Sequence, residues 1–144
     1  MESQHPRRGL FVSYNERKNG NFQAAVDVCN AHQYVVWLDK AAVRTQQFLF
    51  PTTILIKIAG EDRYYRGELR DIKRAEEVDR DALLAEASHR PATWQDKDTD
   101  DAAFKSVLYI AGLKQVPRPA RIAKDEAPQR PWYRDETILR GAGA

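Results

Sequence analysis

Residues 52 to 72 constrain the chain most, because they read as a β-hairpin and so commit the molecule to a sheet. Thr52 to Ala59 is rich in isoleucine and threonine, Tyr64 to Ile72 follows, and Gly60, Glu61 and Asp62 between them supply turn chemistry. Three more strands are expected from β-branched and aromatic content: Leu10 to Tyr14, Tyr34 to Leu38 and Ser106 to Ala111. The second of these (YVVWL) reads as buried on both faces, and the third is expected to break at Gly112.

Helical spacing fills two of the intervals. After a polar loop from Asn15 to Asn21, Phe22, Ala25, Val26 and Cys29 fall at i, i+3, i+4 and i+7, one apolar stripe that Asn21 can cap. Cys29 is thereby a core residue. A second, short helix is expected over Ala82 to Ser88, capped by Asp79 or Asp81, with Leu83 and Ala87 on one face and Pro91 discouraging its continuation. Pro91 to Ala103 reads as an acidic loop around Trp94. The order strand, helix, strand, hairpin, helix, strand gives an α+β fold, a curved mixed sheet with two or three flanking helices. Val36, Ile54, Ile56, Val107 and Ile110 are expected in its core, with Phe22 and Val26 packing the first helix on it.

Four of the seven prolines, Pro117, Pro119, Pro128 and Pro131, lie late in the chain. Residues 1–122 are therefore expected as a single domain and 123–144 as a proline-containing C-terminal tail, dispensable for folding from about Asp125 onward.

At 144 residues, 42% hydrophobic and 31% charged, the chain has the composition of a soluble globular domain. The longest uncharged stretch, Thr45 to Ile56, is too short to span a bilayer, and Met1 to Gly9 holds no apolar signal core. One cysteine excludes an internal disulfide framework and a cysteine-based zinc site. A cytoplasmic protein with no membrane association is expected.

The net charge of +2 hides clusters. Arg7, Arg8, Arg17 and Lys18 stand against Glu16 alone, and Lys114, Arg118, Arg121 and Lys124 lie in a segment without an acid. Lys57 to Arg74 holds six cations against four acids, whereas Glu76 to Glu86 holds five acids against Arg80. Segregation of this kind is common on solvated faces; only folding can bring the basic segments onto one surface.

The inventory for catalysis is thin. His5, His32, His89 and Cys29 are unpaired in sequence, and His32 and His89 each end an expected helix, where an imidazolium suits the dipole. Asp96, Asp98, Asp100 and Asp101 lack the glycine and terminal glutamate of a calcium loop, and no glycine cluster precedes a helix. Asp62 and Asp71 sit at opposite ends of an expected strand, about 30 Å apart at roughly 3.3 Å per residue, too far to share an ion. No enzyme, metal or cofactor is expected.

Aromatics are more informative. Tyr14, Tyr34, Trp37, Tyr64, Tyr65, Trp94 and Tyr109 lie on or beside expected strands, and Arg63, Arg66 and Arg70 punctuate the hairpin. Aromatic faces stack bases and arginine neutralises phosphate, although large rings also simply fill the core of a small sheet. Trp94, in a polar loop, either plugs the core's edge or walls a pocket.

Several fragments resemble the PUA-like superfamily, which includes the ASCH, EVE and YTH domains. Phe11-Val12-Ser13-Tyr14-Asn15-Glu16 is similar to the first strand and loop of YTH domains, and Tyr34-Val35-Val36-Trp37 to the segment there that delivers a cage tryptophan. Gly67-Glu68-Leu69 after Tyr64-Tyr65-Arg66 resembles the Gly-bearing strand of EVE and ASCH domains, following an aliphatic strand such as Ile54 to Ile58. Trp94, Val107-Leu108-Tyr109 and Leu113 to Pro119 resemble the closing strand and proline-ended exit of EVE domains. The resemblance implies a small open barrel whose concave aromatic pocket holds a modified or flipped base of DNA or RNA, walled by Tyr14 and Trp37 with Trp94 as a third side. Arg63, Arg66, Arg70, Lys114, Arg118 and Arg121 are expected as its phosphate-binding rim. The alternative is a protein-interaction module, a regulator or inhibitor that docks through strand edges and the tail (Pro128 to Tyr133, Ile138, Leu139).

Overall fold

A computed structural model of the chain describes residues 7–39, 41–45, 48–79, 81–82, 87–91, 94, 104–128 and 131–141. Six strands form one mixed sheet: β1 (Arg8–Tyr14), β2 (Tyr34–Asp39), β3 (Thr52–Ile58), β4 (Tyr64–Arg74), β5 (Ser106–Val116) and β6 (Trp132–Asp135), in the order β2-β5-β4-β3-β1-β6. Only β1 and β3 run parallel; every other pairing is antiparallel, including the expected β3–β4 hairpin. Among the described residues, α1 (Glu16–Asn19), α2 (Gln23–His32) and α3 (Glu136–Arg140) complete an α+β fold.

Local chemistry sets the helix ends. The expected loop after β1 contains α1, because the Asn15 side chain accepts from the Arg17 and Lys18 amides at 3.0 and 3.3 Å. Asn21 accepts from the Gln23 amide at 2.8 Å at the start of α2, which ends where Gln33 turns to φ 79°. Phe22, Ala25, Val26 and Cys29 are buried as their spacing predicts. They pack on the sheet face made by Leu10, Val12, Ile54, Ile56, Leu108 and Ile110. Phe11, Leu55, Tyr64 and Val116, on the opposite face, are covered by Ile122 and Leu139. β3 is thus buried along its whole length, as a central strand covered on both sides must be.

Two expectations differ from the structure. Gly112 does not end the last strand of the predicted set: at φ 61° it forms a bulge, and β5 continues to Val116. Nor do residues beyond 122 form a separate arm. β6 pairs with Arg8 to Phe11, and Leu139 of α3 is wholly buried, because this segment caps the second sheet face. Most of the expected helix over Ala82 to Ser88 and of the acidic loop lies outside the described residues.

Candidate functional site

The site follows from how the sheet curls. β2 and β1 are four places apart in the strand order, yet the Trp37 and Tyr14 rings sit 5.8 Å apart, so the sheet bends its β2 edge round toward β1. Two register shifts between β4 and β5 accompany that bend. Among the described residues β6 covers β1 only as far as Phe11, and no strand pairs with Val12 to Tyr14 on that side. Residues 41–45 bridge the gap: the Val43 amide donates to Ser106 Oγ at 2.9 Å, Ser106 Oγ to the Ala41 carbonyl at 2.8 Å, and the Arg44 amide to the Tyr133 hydroxyl at 2.9 Å.

A cleft of about 1400 Å³ opens there, with Val12, Ser13 and Asn15 on one side, Asp39, Ala41 and Arg44 on another, and Tyr133 of β6. Ala127 and Pro128 form a further wall. That wall is pinned because Lys57 Nζ donates to the Lys124 and Glu126 carbonyls at 2.7 and 2.9 Å, and Arg134 pairs with Glu126 at 2.6 Å.

Charge in the cleft is one-sided. Lys18, Arg44 and Lys105 line it, and Asp39 is its one acid among the described residues. Burial pushes the Asp39 carboxyl above its ordinary value, against the opposing hydrogen bonds of the Ala41 N–H, at 2.8 Å, and of Trp37. Ser13 Oγ is buried with no hydrogen-bond partner among the described residues. A buried hydroxyl left in that state is unfavourable, and its residue borders the cleft. Together these supply a flat ring, two polar groups and surrounding cations. Such a set fits a planar heteroaromatic group attached to an anion.

Tyr14, Trp37 and Trp94 are brought together, with ring centroids 5.7 to 5.8 Å apart. All three lie in the interior, 4%, 9% and 5% exposed, with Phe22 packed on Tyr14 and Trp37, and none of them lines the cleft. The Trp94 indole donates to the Tyr14 hydroxyl at 2.8 Å, and that hydroxyl's single proton is shared between the Asn19 and Gly20 carbonyls. Burial raises the Tyr14 pKa. Trp37 reaches the cleft through its hydrogen bond to Asp39, so the trio backs the site.

The six expected rim cations are not one surface. Arg63 is bonded to Glu16 and Glu61, Arg118 pairs with Asp62 at 3.1 Å, and Arg70 with Glu68 at 3.3 Å. Arg121 is exposed on a turn. Arg66 and Lys114 do meet, directly opposite one another across β4 and β5. Sequence reasoning missed Lys18, Asp39, Arg44, Lys105 and Tyr133 as one group. The available signals were Ser13, the one serine of β1, and Asp39, the acid that ends β2.

Among the described residues, no group of acids, histidines or cysteine is arranged to hold a metal, and no helix is long and apolar enough to cross a membrane. Comparison with family models, curated proteins and solved structures finds no match to this chain.

Proposed function

We propose that the chain is a cytoplasmic nucleic-acid-binding module that holds one base, modified or flipped out of its stack, in the cleft between β1 and β2. The cleft itself carries the reading: three cations, Lys18, Arg44 and Lys105, share its lining with Ser13, Asp39 and Tyr133. Lys18, Arg44 and Lys105 would neutralise flanking phosphates, Tyr133 would stack, and Ser13 and Asp39 would read the base edge. The proposal retains the PUA-like resemblance of the sequence fragments.

Fluorescence anisotropy with labelled single-stranded and duplex 20-mers, plain and carrying modified bases, tests it. Arg44→Glu should weaken binding to every oligonucleotide, whereas Ser13→Ala should change the preference among bases and leave the salt dependence alone. If no oligonucleotide binds below about 100 μM at low salt, where even non-specific binders show affinity, the proposal fails and docking to a protein becomes the leading reading.

A further inference from the structure

A second basic hollow lies away from the cleft. Arg7, Arg66, Lys114 and Arg140 line a groove of about 400 Å³, beside Thr52 and Thr53 at the start of β3. The cleft borders Ala59 just past the other end of that strand, so about 20 Å of strand separates the two.

Its charges are only partly neutralised. Arg66 and Lys114 face each other as a cross-strand pair of like sign, an arrangement that destabilises a sheet unless something negative lies between. Arg66 Nη1 donates to the Arg140 carbonyl at 2.8 Å, a bond that fixes the guanidinium and leaves its charge in place. Glu68 lines the groove but is paired with Arg70. Buried Glu136 serves two guanidiniums at once, Arg140 at 3.0 Å and Arg7 at 3.7 Å, and accepts from the Thr52 and Thr53 hydroxyls at 3.2 and 2.9 Å. Lys114 has no acidic partner among the described residues. Four cations therefore converge with one buried carboxylate to orient two of them. Gly112, on the bulge, is part of the groove's lining.

The geometry points to a phosphate-binding cradle formed by Arg7, Arg66, Lys114 and Arg140, independent of what occupies the cleft. Its ligand is a phosphate group, presented either by a nucleic-acid strand or by a small phosphorylated molecule; fork-shaped guanidiniums match the paired oxygens of that anion.

Inorganic pyrophosphate, titrated into the ¹⁵N-labelled full chain at low salt, is the probe. Expected are amide shifts centred on Gly67, Gly112 and Lys114, and a loss of affinity of about five- to tenfold in Lys114→Gln and again in Arg66→Gln. Lys114 is exposed, so its variant keeps the fold, which the unperturbed spectrum reports. Lys73→Gln, an exposed position on β4 outside both the groove and the cleft, should leave pyrophosphate binding unchanged. Shifts that fall elsewhere, or affinities unaltered in both cradle variants, overturn the proposal. Addition of a single-stranded 20-mer then separates the sources: displacement of pyrophosphate assigns the cradle to strand phosphates, and no displacement assigns it to a small phosphorylated molecule. Because pyrophosphate carries no base, failure of the cleft proposal leaves this result intact.

Discussion

Asp39 carries opposing demands in one side chain. Burial raises its pKa, so it binds a proton more readily in the folded chain than in the unfolded one. A raised carboxyl favours the fold below its unfolded value, about 4, and that contribution is lost as pH rises through the folded value. Asp39→Asn should therefore melt at the same or a higher temperature than the parent at pH 7, with the difference gone near pH 4, while oligonucleotide binding weakens. A lower melting temperature at pH 7 would mean that the carboxylate is structural. Glu16 shows the reverse sign. Burial pushes its carboxyl up, but the hydrogen bonds from Arg63 and the Phe22 amide outweigh it and hold it low. Its contribution is present above about pH 4.3 and is lost as pH falls. Thermal melts of Glu16→Gln from pH 3 to 7 should accordingly show destabilisation at pH 7 that fades toward acid.

At the scale of elements, β6 and α3 hold the second sheet face closed. Leu139, wholly buried against Phe11, Leu55, Tyr64 and Ile122, should cost about 2–5 kcal/mol when changed to alanine, measured by urea unfolding. A loss under about 0.5 kcal/mol, the usual range for surface substitutions, would show that the C-terminal segment does not dock. This segment was illegible in the sequence, because proline and charge density mask a short strand whose pairing with β1 is set by tertiary contact. Gly112 misled for a related reason: glycine breaks a regular strand and equally permits a bulge within one, and only the partner strand decides. At φ 61°, Gly112→Ala should cost about 1–2 kcal/mol through backbone strain alone. By contrast, Phe22, Val26 and Cys29 were legible, since a 3.6-residue period survives whatever the helix packs against.

Across the whole molecule, the curl that closes the core also creates the opening. Bending the sheet until Trp37 meets Tyr14 buries the aromatic trio and leaves a cleft where β6 stops short of covering β1. Ring residues near strands were visible in the sequence, but which of them would line a cavity depended on the curvature. That is why Tyr133, from the supposed tail, faces the cleft while Trp37 stands behind it. The central claim is that the cations of this cleft bind nucleic acid, and salt-dependent anisotropy on the Arg44→Glu, Lys105→Glu double variant tests it most directly. The parent should bind a 20-mer with affinity falling linearly in log salt, and the double variant should bind more weakly with a slope shallower by about two phosphate contacts. An unchanged slope and affinity in the double variant would contradict the account.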